Sequence, residues 1–296
     1  MKDKNKTILI ITLTVVTALL LGVGLFYAAP DLFGKKPQTV VIEPSEPVEI
    51  NVDHEKYKKL WKENHDINPD YVGELFFDSG LIDVSFVQAK STYDSKGELY
   101  KFYTEDGRLV SDPTGYTGND VYIWTYWKTG AYDYNDNGGS VFMDYRNDID
   151  DQNLIIYGHH FSVWNDATRK KAFTPIEQLL EAKNYSPNRY VTMVLEKEIR
   201  HYELVSVYQF DATKDRFWQD FQYWRTNYNY DDYTETKQDD YFANYIKGIK
   251  EVQLYDTGVE LTTNDNTLTL QTCISGHTGE LFQILVLKEI QVEKYN

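Results

Sequence analysis

The chain has 296 residues, a formal net charge of −16, 42% hydrophobic residues and one cysteine. So acidic a chain lacks the basic surface that non-specific nucleic-acid binding requires, and we expect no nucleic-acid partner. The single cysteine excludes an internal disulfide and a cysteine-rich metal site. A short acidic run (Asp148, Asp150 and Asp151) is explained by a solvated turn, so we expect no metal and no cofactor.

An apolar, uncharged segment over residues 7–29 is the first element of the chain. At about 1.5 Å of rise per residue it is long enough to span a hydrocarbon core of about 30 Å. Lys2, Lys4 and Lys6 precede it and favour a cytoplasmic N-terminus. A cleaved signal peptide is the alternative, but the apolar run is long for one and "FYAAPD" is a poor cleavage site. We therefore expect a single-pass membrane anchor over residues 1–29.

Residues 30–52 are rich in Pro, Glu and Val, which predicts an extended stalk outside the cytoplasm. The main domain is expected over residues 53–296. It opens with "DHEKYKKLWKENHD", in which Tyr57, Leu60 and Trp61 fall on one face of a short amphipathic helix.

Strand patterns dominate the rest of the chain. Eight short β-rich runs, most of them separated by polar or Gly/Asn/Asp linkers, predict a mainly β fold that closes as a barrel or packs as a sandwich. In chain order these runs are "YVGELFF", "IDVSFVQA", "GSVFMDY", "NLIIYG", "RYVTMVLE", "YELVSVYQF", "TLTLQTC" and "LFQILVLKEI".

Two helices are predicted among these strands. In "TPIEQLLEAK", Thr174 is placed to be the N-cap, with Pro175 at the first helical position and Glu177 closing a capping box. In "DDYFANYIKGIKEV", four apolar side chains fall on one helical face: Phe242, Tyr245, Ile246 and Ile249. Residues 91–137 are rich in aromatic residues, Gly and Asp, and are interpreted as an insertion between strands.

The cysteine is the first candidate for chemistry. Strict alternation in "NTLTLQTC" sends Leu268, Leu270 and Thr272 to one face and puts Cys273 with the polar residues on the other. This predicts a thiol on the polar face of a half-buried strand, at the end of that strand. A buried cysteine that only fills space is the alternative.

A histidine would be the partner of this thiol. The run "NLIIYGHHF" ends an apolar strand at Gly158 and then presents His159 and His160, which two polar loop residues would also explain. His277 is a weaker candidate, in a glycine-flanked loop. A cysteine and a histidine together predict covalent acyl transfer: the thiolate attacks a carbonyl, and the histidine protonates the leaving amine.

These residues carry a resemblance to a known family. The run "TLQTC" resembles the TLxTC motif of sortases, and "IIYGHH" resembles the strand and histidine of their class B. The similarity extends to "NPDYVGELFFDSGLIDVSFVQAK", "YWKTGAYDYN" and "GGSVFMDYRN", and it covers most of the chain from about Lys56 onward in the family's order and spacing.

The resemblance implies an eight-stranded sortase-type β-barrel with N-terminal helices and a helix before the cysteine strand. It makes Cys273 the nucleophile and His159 the acid/base, with Thr272 supporting the substrate or the oxyanion and His160 a neighbour only. Its substrates would be a sorting-motif peptide of a surface protein and an amine of peptidoglycan or of a pilin. The protein would then lie at a Gram-positive type cell surface, held in the cell membrane by its N-terminal helix.

One position departs from the family pattern. Sortases place an arginine on the strand after the cysteine, facing the thiol, whereas here that position falls on Phe282, with Glu280 the other candidate on the same face. Another cation (Arg146, Arg225 or Lys288) could replace the arginine, or polar side chains and backbone amides could hold the oxyanion without a cation. A third reading is a degenerate sortase that binds sorting peptides as an accessory protein. A cysteine hydrolase of the cell wall is a further alternative.

Overall fold

The structure, a computed structural model, describes eight ranges of the chain: residues 38–39, 53–89, 119–130, 139–145, 147–161, 170–211, 238–274 and 281–295. Its internal contacts divide the chain into residues 1–38 and residues 39–296, and the described helices and barrel strands all lie in the second unit. The predicted anchor and most of the predicted stalk lie outside the described ranges, as does much of the predicted aromatic insertion. Within those ranges no helix combines the length and the apolar character needed to cross a membrane.

Eight of the described strands close into a barrel, which confirms the predicted fold class. The described strands are β1 (Gln38–Thr39), β2 (Tyr71–Phe77), β3 (Asp83–Val87), β4 (Val141–Met143), β5 (Asn153–Tyr157), β6 (Tyr190–Val194), β7 (Glu198–Asp211), β8 (Tyr255–Asp256), β9 (Thr267–Cys273) and β10 (Leu281–Lys294). Around the barrel the order is β10–β7–β6–β2–β3–β4–β5–β9. Each of these eight strands falls on one of the eight predicted runs.

Three α-helices and three short 3₁₀ helices accompany the described strands. The α-helices are α1 (His54–Ile67), α2 (Asp120–Trp124) and α3 (Gln238–Val252), and the 3₁₀ helices are Thr174–Leu180, Ala182–Asn184 and Ser186–Asn188. Helix α1 confirms the predicted amphipathic segment. Its first turn is capped by Asp53, whose carboxylate accepts a hydrogen bond from the N–H of Lys56 at 3.0 Å. Its Trp61 indole donates to the carbonyl of Val72 at 2.9 Å, which ties the helix to the start of β2.

Both faces of β9 are buried, which differs from the prediction of a half-buried strand. Leu268 and Leu270 belong to the large core cluster inside the barrel. On the outer face, Thr269 is fully buried, because Tyr245 and neighbouring apolar residues of α3 pack over this part of the sheet. The sequence pattern identifies the polar face correctly, but it does not reveal that a helix covers it. Only Cys273, at the end of the strand, keeps part of its surface exposed.

The predicted capping box of Thr174 and Glu177 is wrong. Thr174–Leu180 is a 3₁₀ helix whose N-cap position is Phe173, and no side chain caps it. The two groups bond elsewhere: the Thr174 hydroxyl accepts the N–H of Phe161 at 2.9 Å, and the Glu177 carboxylate lies 3.0 Å from Nε2 of His160. The capping-box pattern is present in the sequence, but both side chains bond residues of the segment that follows β5 instead of the helix backbone.

Candidate active site

The ends of β5 and β9 lie side by side in parallel. Tyr157 is the partner of Gln271 in the register. Beyond that pair, the N–H of Gly158 donates to the carbonyl of Gln271 at 3.1 Å, and the hydroxyl of Thr272 donates to the carbonyl of Gly158 at 2.7 Å. The alignment therefore continues past the end of β5. The same alignment, extended by one more residue along each chain segment, pairs His159 with Cys273, 114 positions later in the sequence.

His159 and Cys273 share the outer face of the barrel. Successive side chains of a strand point to opposite faces, so residues two apart share a face. Ile155 of β5 and Ile284 of β10 belong to the cluster that α3 covers, outside the barrel. Two steps along β5 from Tyr157, which also packs on that cluster, lead to His159. Ile284 is the register partner of Gln271, and two steps along β9 from Gln271 lead to Cys273.

The imidazole of His159 is held by the backbone of α2. Its Nε2 atom lies 2.8 Å from the carbonyl oxygen of Ile123, and the ring lies 6.4 Å from that of Trp124 at an angle of 51°. Because a carbonyl only accepts, Nε2 carries the proton in this contact. Burial lowers the pKa of His159 below its usual value, and the hydrogen bond to Ile123 opposes part of that shift. Burial therefore favours the neutral form of the ring.

The segment that carries His159 is held by Phe173, the residue just before the first 3₁₀ helix. The N–H of Phe173 donates to the carbonyl of His159 at 3.0 Å. A methyl group added at Gly158 would lie 2.6 Å from the ring of Phe173, so this close approach requires glycine. The side chain of His160 points the other way, into the protein, and only 1% of it is exposed. Of the two adjacent histidines, His159 therefore shares the face of Cys273, and His160 bonds Glu177 inside the protein.

The known proteins that resemble this chain in sequence and in fold include several sortase B proteins. No protein-family model matches the chain. Sortase B of Staphylococcus aureus (strain NCTC 8325 / PS 47) is 27% identical over 154 residues, which are 51% of this chain and 54% of the relative. Sortase B of Listeria monocytogenes is 26% identical over 157 residues, 52% of this chain and 54% of that relative. The chain thus matches about half the length of each of these relatives.

The solved structures agree. Sortase B of Clostridium perfringens aligns with a TM-score of 0.55 at 24% identity, over 78% of this chain and 99% of that one. A Staphylococcus aureus sortase B–substrate complex aligns with a TM-score of 0.55 at 19% identity, over 81% and 87%. A sortase B complexed with triglycine aligns with a TM-score of 0.53 at 19% identity, over 82% and 97%. The chain is related to the class B sortases.

Cys273 of this sortase relative lies at the open end of β9. Its side chain is partly exposed, and burial of the rest raises the pKa of the thiol. With a raised thiol pKa and a lowered imidazole pKa, the pair is mostly uncharged at pH 7.

The arginine expected in a sortase is absent from the position opposite the thiol. Phe282 of β10 is the register partner of Cys273, so a phenyl ring stands on the thiol's face of the neighbouring strand. This agrees with the sequence alignment. Glu280, the other candidate for that position, lies outside the described residues, and so does His277.

One of the three cations considered as replacements lies at the wrong end of the strand. Lys288 is paired with Thr267, six residues from the register of Cys273, which is about 20 Å at roughly 3.3 Å per residue. Its ammonium group already bonds the carboxylate of Asp265 at 3.0 Å. Lys288 therefore cannot serve the thiol. Arg146 and Arg225 lie outside the described residues.

The hydroxyl of Thr272 already donates a hydrogen bond within the protein. Thr272 points into the barrel, is 2% exposed, and donates to the carbonyl of Gly158. This contact joins the cysteine strand to the histidine segment. That Thr272 supports the substrate or the oxyanion stays a prediction. The geometry favours an indirect role, in which Thr272 helps to position His159 through Gly158.

The anchorage of α2 was not foreseen from the sequence. The fully buried Asp144 accepts hydrogen bonds from the Tyr157 hydroxyl at 2.8 Å and from the Asn119 amide at 3.1 Å. On the other side of α2, the Tyr122 hydroxyl donates to Asp70 at 2.7 Å. The sequence shows acidic and aromatic residues around α2, but their spacing does not indicate which of them form these hydrogen bonds.

Proposed function

We propose that this chain is a membrane-anchored cysteine transpeptidase that cleaves a sorting motif near the C-terminus of a surface or pilin protein. The observation that carries the proposal is the parallel register of β5 and β9, whose last pair, Tyr157 and Gln271, lies two residues before His159 and Cys273. Relatedness to the class B sortases supports the same reaction class. The anchor over residues 1–29 is part of the proposal.

The first half of the reaction forms a thioester on Cys273. The thiolate attacks the scissile carbonyl, and a carbon–sulfur bond forms as the carbonyl oxygen takes up negative charge. The carbon–nitrogen bond then breaks, and His159 gives its proton to the leaving amine. Because both groups start mostly neutral, transfer of the thiol proton to His159 comes first and supplies both charged forms.

The second half passes the acyl group to an amine. The incoming amine attacks the thioester and forms a carbon–nitrogen bond, and His159 accepts the amine's proton. The carbon–sulfur bond then breaks, and the Cys273 thiolate takes the proton back from His159. The triglycine complex among the structural neighbours supports an amine acceptor of the peptidoglycan type, and the substrate complex supports a peptide donor. An amine of a pilin would react in the same way.

Backbone amides and polar side chains hold the oxyanion in this proposal. Phe282 takes the place of the arginine, and Lys288 is about 20 Å from the thiol along the strand. Loss of one oxyanion donor typically costs about 10²–10³ in rate, so we expect turnover slower than in a sortase that has the arginine.

A second candidate function follows from the same position. With Phe282 opposite the thiol, the chain could be a degenerate sortase that binds sorting peptides as an accessory protein in surface-protein assembly. Binding would then occur without acyl transfer.

Product analysis distinguishes these functions and also a cell-wall hydrolase. The protein is incubated with sorting-motif peptides and an excess of triglycine, and the products are identified by mass. Amide products that disappear in Cys273→Ala support the transpeptidase. Free acid despite abundant amine supports a hydrolase, and bound but uncleaved peptide supports the accessory protein.

A further inference from the structure

Three carbonyls near the C-terminal end of α2 accept hydrogen bonds from groups outside the helix's own backbone pattern. The last carbonyls of a helix have no partner within it and take other donors. Val121 accepts the hydroxyl of Thr125 at 2.7 Å, and Tyr122 accepts the N–H of Ser140 at 2.9 Å. The carbonyl of Ile123 accepts Nε2 of His159 at 2.8 Å. The imidazole is thus one of three donors, each of which bonds a different carbonyl of α2.

Gly139 lies very close to two of these carbonyls, those of Tyr122 and Ile123. A methyl group added there would lie 2.2 Å from the oxygen of Ile123 and 2.6 Å from that of Tyr122, far inside contact distance. The residue also has a φ of +68°, in the left-handed region that favours glycine. Any side chain at position 139 would therefore displace the acceptor of the histidine proton.

We infer that the carbonyl of Ile123, held in place by the approach of Gly139, fixes His159 in the Nε2–H tautomer and leaves proton transfer with the thiol to Nδ1. The inference rests on the proposed function for the transfer itself, but the tautomer is a property of the resting protein. Gly139 is then a positioning residue, since it acts on the imidazole through the backbone of α2.

The arrangement suits a histidine that must gain a charge during the reaction. Once Nδ1 takes the thiol proton, the imidazolium still donates through Nε2 to the Ile123 carbonyl, whose partial negative charge stabilises it. The ring does not need to rotate between its two roles. The buried contacts of Asp144 and Tyr122 keep α2, and so this acceptor, in one place.

The chain offers a closely matched control. Gly130 has a φ of +66°, so Gly130→Ala creates the same backbone strain as Gly139→Ala. Among the residues that the structure describes, no atom lies within 4 Å of a methyl group at position 130, so the control meets no carbonyl there. A difference between the two variants therefore reports the displaced carbonyls and not the strained turn.

The test is the ¹⁵N spectrum of the imidazoles in the full chain without substrate, with the His159 signals assigned by comparison with His159→Asn. We expect the Nε2–H tautomer in the wild type and in Gly130→Ala. In Gly139→Ala we expect a mixture of tautomers and an acyl-enzyme rate about 10²-fold lower, the usual cost of misplacing a catalytic group by about 1 Å.

Two results would overturn the inference: an Nδ1–H tautomer in the wild type, or a folded Gly139→Ala with the His159 signals and the rate of Gly130→Ala. If Gly139→Ala does not fold, the wild-type tautomer alone decides. An Nε2–H tautomer in a protein that forms no acyl-enzyme would support the placement of His159 and count against the proposed function.

Discussion

The two sides of Cys273 are built differently. On the β5 side, His159 is held by the carbonyl of Ile123 at its ring and by the N–H of Phe173 at its backbone. The next residue, His160, adds a contact to Glu177 at 3.0 Å. On the β10 side, the register partner of the thiol is the hydrocarbon side chain of Phe282.

This difference separates two tasks that a sortase performs around one thiol. Proton transfer needs a histidine of fixed orientation, and the β5 side provides it. Stabilisation of the oxyanion needs a donor or a cation, and the β10 side offers none at the expected position. In the proposed function, the protein therefore keeps the groups for proton transfer and lacks the arginine of the family pattern.

Removal of the nucleophile has the largest expected effect. Cys273→Ala removes the atom that forms the thioester, so cleavage of a sorting peptide should fall to background while the far-UV circular dichroism and the melting temperature stay near those of the wild type. Peptide cleavage followed by chromatography measures this. Unchanged turnover in the variant would show that Cys273 is not the nucleophile.

Removal of the acid/base comes next and tests the β5 side directly. His159→Ala should slow acyl-enzyme formation by about 10²–10⁴-fold, the usual contribution of a positioned proton donor. His160→Ala should be mild, because Phe173 and Thr174 still hold the segment. Single-turnover kinetics of both variants provide the comparison. The reverse order of effects would mean that His160 is the acid/base.

A gain of function tests the β10 side. Phe282→Arg places a guanidinium on the strand position opposite the thiol, where it can stabilise the developing oxyanion. If that charge is what the site lacks, acylation should become about 10²-fold faster. Phe282→Leu is the control, since it changes the shape of the side chain without adding a donor. Equal rates in the two variants would show that the oxyanion is already fully stabilised by other groups.

The pH dependence of thiol alkylation is the smallest expected effect. Burial raises the pKa of Cys273, so less thiolate is present at any given pH than for a free cysteine, with its pKa of about 8.5. The rate with iodoacetamide should therefore be low at pH 7 and still rise above pH 9. Phe282→Arg should shift the profile to lower pH. A wild-type plateau below pH 8 would reveal a cation near the thiol.

The barrel could be predicted from the sequence because its strands alternate regularly. All eight barrel strands lie on predicted runs, and the face of Cys273 follows from the pattern of "TLTLQTC". The alternation of a strand does not show what covers it, which is why β9 was expected to be half-buried although α3 packs over it. The same limit applies to Thr174 and Glu177, whose local capping pattern was overridden by Phe161 and His160.

The candidate site could be predicted only in part. A nucleophile and a histidine are recognisable as residue types, and Phe282 stands out by contrast with the family pattern. The acceptor of the His159 proton is a backbone carbonyl, which every residue possesses, so the sequence gives no sign of it. Lys288 shows the reverse error: its residue type fits the missing cation, but the strand register puts it about 20 Å away.

Intact-mass spectrometry of the full chain after incubation with a library of sorting-motif peptides tests the central claim most directly. We predict an acyl adduct on Cys273, located by peptide mapping, that disappears on addition of triglycine as an amide product forms. Measurable peptide binding with no adduct from any peptide would contradict the transpeptidase and leave the accessory protein as the function.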